Sequence, residues 1–139
     1  MAKLLKRFAS IAITTAVATT AFTGSAAADI GAGRVQVCAQ GNYAVKPSFN
    51  SSDQSQMPSG PDTWVAKGTC QTFPVPNYGY PARLTGISVI GKFNSSNGTF
   101  YVDGINVNPT AGGWKLLARG TTADGGAAAY LVVMASGRT

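Results

Sequence analysis

Short runs of β-forming residues, separated by glycine, proline and asparagine, fill the chain after its first 28 residues. No long window in this part carries apolar residues at helical spacing. Residues 84–93 (LTGISVIGKF) and 99–107 (TFYVDGINV) are two such runs, joined by the turn sequence NSSNG. This pattern predicts a β-hairpin. A second hairpin is predicted from residues 114–121 and 127–135, which flank the turn sequence DGG.

The remaining β-rich runs complete the expected strand count. The first of them covers residues 35–38 and continues at 43–49 after a bulge or turn at Gly41 and Asn42, and the others cover 63–67 and 69–73. Together the runs predict an all-β fold of about seven strands, either an antiparallel β-sandwich or a small barrel. The length of residues 29–139, about 110 residues, suits a single domain with one hydrophobic core.

The first 28 residues have the three-part layout of a secretory signal peptide. Lys3, Lys6 and Arg7 precede an uncharged apolar run at residues 8–22, and small residues follow it up to Ala28. The apolar run is shorter than the roughly 20 residues that a membrane-spanning helix needs. The sequence therefore predicts cleavage after Ala28, a secreted protein, and no stable membrane span after cleavage. The alternative is an N-terminal anchor or a buried helix.

Two cysteines, Cys38 and Cys70, are present. Because thiols oxidise outside the cell, an even cysteine count in a small exported domain predicts a disulfide bond. A Cys38–Cys70 bond closes a loop of about 30 residues and stabilises by roughly 3 kcal/mol in a chain-entropy treatment. The alternative is a reactive thiol, which commonly has a histidine partner. The sequence contains no histidine.

The sequence also lacks glutamate, which restricts the chemistry further. Without histidine, Ser-His-Asp and Cys-His catalysis and the common zinc sites are not expected. An aspartate pair across a cleft is the arrangement left for a glycosidase. The five aspartates are Asp29, Asp53, Asp62, Asp103 and Asp124. All of them except Asp103 are better explained as terminal, turn or loop residues. We therefore expect a protein that is not an enzyme, with no cofactor and no metal site.

Residues 103–108 (DGINVN) alternate oxygen-bearing and other side chains. Such spacing is one feature of calcium loops, but an EF-hand also requires a glutamate. The same alternation places polar groups on the solvent-exposed face of a strand. We favour the second interpretation.

The positive charges are scattered along the chain. After residue 28, eight Lys and Arg face five Asp, which gives a net charge of +3. Nucleic-acid-binding surfaces concentrate basic residues on one face or stripe, so no nucleic-acid partner is expected. A weak attraction to an anionic cell wall is compatible with this charge.

Aromatic side chains are the candidates for ligand contacts. Tyr78 and Tyr80 flank Gly79 in the proline-rich segment 74–83 (PVPNYGYPAR). Rigid rings on a stiff loop bind at low entropic cost and can stack on sugars. The alternative is that one or both cover an open end of the sandwich. Trp64, Trp114 and Tyr101 are further candidates, but burial is the stronger expectation for the two tryptophans, which stand at strand starts among apolar residues.

The pattern VQVCAQGNYAV…GTC…ISVIGKFNSSNGTFYV…LLARGTT follows an Ala/Thr-rich export signal. It resembles small single-disulfide proteins exported by actinobacteria, which are mostly of unknown function. The resemblance implies an exported β-rich domain and transfers no site residue.

These observations predict a secreted, non-catalytic binding protein. Its candidate ligands are cell-envelope or polysaccharide material, or another extracellular protein, bound through Tyr78, Tyr80, Trp64 and Trp114. The alternative is a secreted protease inhibitor. Residues 71–80 form a proline-held segment beside Cys70, and a pre-organised extended segment of this kind can occupy a protease cleft.

Overall fold

The computed structural model of the protein describes residues 30–55 and 58–135. The predicted signal peptide lies outside these residues. Within them the fold is all-β, and the predicted sandwich of about seven strands is confirmed. The strands are β1 (Arg34–Ala39), β2 (Ala44–Ser51), β3 (Cys70–Pro74), β4 (Thr85–Lys92), β5 (Thr99–Val107), β6 (Trp114–Gly120) and β7 (Ala129–Ala135). No helix in the described part of the chain has the length and apolar character needed to cross a membrane.

The strands form two sheets, which we call the four-stranded and the three-stranded sheet. Their strand orders are β3-β1-β6-β7 and β2-β4-β5, so β1 and β2, which the sequence predicts as one interrupted strand, lie in different sheets. Along β2, buried residues alternate with half-buried ones, because successive side chains point to opposite faces of a strand. The buried residues of both sheets form one core, which includes Val35, Val37, Val45, Phe49, Ile87, Val89, Phe100 and Leu116.

Both predicted hairpins are present, since β4 pairs antiparallel with β5 and β6 with β7. One pairing differs from the antiparallel expectation. β1 and β6 run parallel, from Val35 opposite Trp114 to Ala39 opposite Ala118. Parallel neighbours need a long crossover, and residues 40–113 supply it by building β3 and the whole three-stranded sheet between these two strands.

Residues 63–67 do not form the predicted strand. Val65 makes an isolated bridge with Val45, and Ser59 makes another with Phe49. Residues 59–65 therefore follow the free edge of β2 as an irregular segment, which we call the edge segment. Gly60 and Pro61 interrupt its pairing, because proline lacks the N–H that a ladder requires.

The predicted disulfide bond between Cys38 and Cys70 is confirmed, with an S–S distance of 2.05 Å. The two residues are direct partners in the β1–β3 ladder. The bond therefore joins neighbouring strands of one sheet and fastens β3, which lies at the sheet edge, to the interior strand β1.

Candidate functional site

The outer face of the three-stranded sheet carries the side chains of β2, β4 and β5 that point away from the core. The strand register aligns these residues in rows across the sheet. The rows are Asn50, Gly86 and Asn106; Ser48, Ser88 and Gly104; and Lys46, Ile90 and Tyr101.

Two glycines create a groove of about 270 Å³ on this face, which we call the glycine groove. A Cβ atom on Gly86 would lie 2.5 Å from Oδ1 of Asn50 and 3.2 Å from Oδ1 of Asn106. A Cβ atom on Gly104 would lie 2.7 Å from the hydroxyl oxygen of Tyr101. Neither position has room for a side chain, so glycine here allows polar groups from neighbouring strands to approach the sheet surface.

The lining of the glycine groove is polar and the groove is open to solvent. Asn50, Ser88 and Asn106 supply amide and hydroxyl groups along it. Amides and hydroxyls both donate and accept hydrogen bonds. Tyr101 borders the groove, and 60% of its surface is exposed. An exposed ring beside donors and acceptors matches a ligand that has both an apolar face and many hydroxyl groups.

The loop that follows β2 closes one end of the glycine groove and is fixed by a carboxylate. The side chain of Asp53 accepts hydrogen bonds from Oγ of Ser51 (2.7 Å), from N of Ser55 (3.0 Å) and from Nε of Arg83 (2.8 Å). These hydrogen bonds, of which the one from Ser51 has the largest effect, hold the pKa of Asp53 well below its ordinary value. The loop thereby holds Gln54 in the lining of the groove.

Trp64 lies at the other side of the outer face. Its neighbour Val65 is buried and bridges to Val45, so Trp64 falls on the outer side of the edge segment, beside Lys46. Nζ of Lys46 lies 4.8 Å from the centre of the indole ring, and Nζ of Lys92 lies 5.8 Å from it. We call these three residues the Trp64 cluster.

A second groove, also of about 270 Å³, runs between β2 and the residues that precede Trp64. Lys46 and Ser48 line one side, and residues 58–62 line the other. We call it the edge groove. Since Lys46 and Ser48 also belong to the rows of the outer face, the two grooves open on the same surface.

Tyr78 and Tyr80 occupy different environments. Tyr78 is half-buried against the core, and its hydroxyl lies 3.4 Å from Oγ of Ser59. Tyr80 is 39% exposed. Their turn is held by Oδ1 of Asn77, which accepts hydrogen bonds from the N–H groups of Gly79 and Tyr80, each at 2.9 Å.

Trp114 begins β6 in the four-stranded sheet and packs against the core. Its indole N–H is buried without a hydrogen-bond partner among the described residues. Of the four aromatic residues predicted to bind ligand, Trp64 lies beside Lys46 and Tyr78 lies beside Ser59, two residues that line the edge groove. Trp64 and Trp114 belong to opposite sides of the sandwich.

Residues 71–80 are attached to the fold at several points. Phe73 and Val75 are buried, and N of Val75 donates to O of Gly33 at 2.9 Å. The carbonyl oxygen of Pro76 accepts a hydrogen bond from Oγ1 of Thr85 at 2.6 Å. These contacts give the segment a structural role between β3 and β4.

The residues that form the glycine groove were not selected from the sequence, apart from Tyr101, which was one of the aromatic candidates. The alternation of polar side chains in residues 103–108 was the sequence signal that could have indicated this site, since Asn106 lies on the outer face beside Gly86. Nothing local connects Asn50 with Asn106, because 55 residues separate them in the sequence and only the register through β4 aligns them.

The acidic residues are dispersed in the described structure. Within residues 30–55 and 58–135, no three His, Cys, Asp or Glu side chains are placed to hold a metal ion. The described lining of the glycine groove contains no carboxylate, and that of the edge groove contains one, Asp62.

No protein-family model, curated protein or solved structure matches this chain. The resemblance to exported actinobacterial proteins stays a prediction. The fold and the surface define a disulfide-bonded β-sandwich with a polar, grooved sheet face.

Proposed function

We propose that this protein is secreted and binds polysaccharide of the cell envelope or its surroundings without catalysis. The binding site is the outer face of the three-stranded sheet. The observation that carries the proposal is the exposed ring of Tyr101 beside a groove bordered by Asn50, Ser88 and Asn106.

The chemistry of this surface matches that of a sugar chain. Sugar hydroxyl groups donate and accept hydrogen bonds, as do the amides of Asn50 and Asn106. The C–H faces of sugar rings pack on aromatic rings, which Tyr101 provides. Pockets for small drug-like ligands are concave and mostly apolar, whereas this groove is polar and open, as a passing chain requires.

The compartment and the lack of catalysis have separate support. A Cys38–Cys70 bond favours an oxidising environment, in agreement with the export signal predicted in residues 1–28. Glycoside hydrolysis needs two carboxyl groups on either side of the sugar linkage, and the described lining of the glycine groove offers none.

The buried side chains of Phe73 and Val75 give less support to protease inhibition through residues 71–80.

The test compares two exposed tyrosines on opposite sheets. Tyr101 lies on the outer face, and Tyr130 lies on β7 of the four-stranded sheet with 52% of its surface exposed. Wild type, Tyr101→Ala and Tyr130→Ala are incubated with insoluble peptidoglycan, chitin, cellulose and other cell-wall polysaccharides, and the retained fraction is measured.

We expect Tyr101→Ala to weaken retention about tenfold or more, since loss of a central aromatic contact costs about 2 kcal/mol. Tyr130→Ala should bind like wild type. Equal retention of Tyr101→Ala and wild type, or no retention of wild type on any member of the panel, would contradict the proposal.

A further inference from the structure

The Trp64 cluster brings two positive charges to one ring. The ammonium groups of Lys46 and Lys92 both lie within 6 Å of the indole centre, at 4.8 and 5.8 Å. In the part of the chain that the structure describes, the one ion pair joins Arg83 and Asp53, so neither lysine has a carboxylate partner there. Two positive charges near one ring repel each other, and an anion in contact with both would lower their energy.

The acidic residues near this face form no ion pair with the Trp64 cluster among the described residues. Asp62 lines the edge groove with Lys46 but forms no ion pair with it among the described residues. Asp103 lies on β5, and its Oδ1 accepts a hydrogen bond from N of Gly104 at 2.8 Å. The outer face is therefore positive at the Trp64 cluster and uncharged in the glycine groove.

The Trp64 cluster and Tyr101 lie along one line across the strands. Tyr101 is opposite Ile90, and Ile90 is opposite Lys46. Trp64 follows on the edge segment, because its neighbour Val65 bridges to Val45. Three strand spacings of about 4.8 Å place the backbones of Trp64 and Tyr101 roughly 14 Å apart. A single sugar ring cannot reach both aromatic side chains, but a chain lying across the strands can.

We infer that the outer face binds an acidic linear glycan that lies across the strands. A carboxylate or phosphate of the glycan contacts Lys46 and Lys92, while neutral sugar units contact Tyr101 and the glycine groove. The inference rests on the proposed glycan-binding function and adds the charge and the chain form of the ligand.

The experiment uses pairs of probes that differ in charge on the same polymer. One pair is polygalacturonate and its methyl ester, and the other is peptidoglycan with and without its phosphate-bearing wall polymer. The variants are Lys46→Gln/Lys92→Gln and, as a matched control, Lys67→Gln. Lys67 is exposed and precedes the turn at Gly68, whose N–H donates to O of Ala39 in the other sheet.

We expect wild type to bind the charged member of at least one pair tenfold or more tightly than the neutral member, with a preference that decreases as salt is added. The double variant should lose most of this preference, and Lys67→Gln should keep it. We expect the variants to have unfolding temperatures close to that of wild type. The lost preference for the charged probe then comes from binding and not from loss of folding.

Equal binding to both members of both pairs overturns the inference, as does an unchanged preference in the double variant. In either case a loss of binding by Tyr101→Ala still supports glycan binding, so the two proposals fail separately. Binding to duplex DNA as tight as to the acidic glycan would show a general attraction to polyanions and would also overturn the inference.

Discussion

The hydroxyl group of Tyr101 occupies the space that a side chain at Gly104 would need. A Cβ atom at position 104 would lie 2.7 Å from that hydroxyl oxygen and 3.0 Å from the carbonyl oxygen of Ile87. The orientation of an exposed aromatic ring on β5 thus depends on the absence of a side chain three residues further along the same strand.

Gly104→Ala should therefore move the Tyr101 ring and weaken glycan retention, by about fivefold if roughly 1 kcal/mol of ring contact is lost. Gly98→Ala is the control, because its Cβ would meet only side-chain atoms, at 3.3 Å or more, in the β4–β5 turn. Retention on polysaccharide and the unfolding temperature are measured for both variants. Unchanged retention for Gly104→Ala would show that the ring position does not matter for binding.

Removal of the disulfide bond should lower the stability of the domain. Cys38 and Cys70 are 32 positions apart, and closing a loop of this size contributes about 3 kcal/mol. Urea unfolding of Cys38→Ser/Cys70→Ser should show a loss of this order. Reductant should produce the same loss in wild type and no change in the variant, and a variant as stable as oxidised wild type would refute the prediction.

Tyr43 should make stability decrease at high pH. Its side chain is fully buried and its hydroxyl donates to O of Arg119 at 2.7 Å. Burial, and secondarily the charge of Tyr130, raises the pKa of Tyr43 to about 12. The unfolded chain releases this proton near pH 10, so the contribution of Tyr43 is complete below about pH 10 and is lost as pH rises towards 12.

Tyr43→Phe should lose about 1 kcal/mol at neutral pH because the hydrogen bond to Arg119 is absent. The variant also lacks the titration, so its deficit relative to wild type should shrink above about pH 10. Urea unfolding of both proteins from neutral to alkaline pH measures the difference. A deficit that stays constant across this range would argue against a buried, protonated Tyr43.

Asp53 should stabilise the loop beside the glycine groove at neutral pH. The pKa of Asp53 is lowered in the folded protein, first by the hydrogen bond from Ser51. Its contribution is therefore present above the unfolded value of about 3.9 and is lost as pH falls below it. Asp53→Asn should be less stable than wild type at neutral pH, and the two should converge in acid.

The control for Asp53→Asn is Asp124→Asn. Asp124 is exposed in the turn before β7 and has a positive φ of 56°, a conformation that asparagine also tolerates. Thermal unfolding at several pH values gives the comparison. Equal stability of Asp53→Asn and wild type at neutral pH, or a stability difference that grows in acid, would contradict the prediction.

Much of the secondary structure could be predicted from local sequence. The turn sequence NSSNG sits between β4 and β5, and DGG sits between β6 and β7, because turn geometry depends on a few adjacent residues. The disulfide pairing followed from having two cysteines in a small domain. The strand predicted over residues 63–67 was wrong, because the apolar residues around Val65 resemble a strand although Val65 makes an isolated bridge to Val45 instead of a ladder.

The candidate site depended on contacts that local patterns do not contain. Asn50 and Asn106 flank Gly86 because of the register between strands that are far apart in sequence. Trp64 lies beside Lys46 and Lys92 for the same reason. Alternation of polar and apolar residues specifies which face a side chain occupies but not its neighbours across the sheet. The sequence by itself determined most of the strands, the two hairpin turns and the covalent link. The tertiary structure alone decided which polar and aromatic groups share a surface, since that requires the packing and register of the whole sandwich.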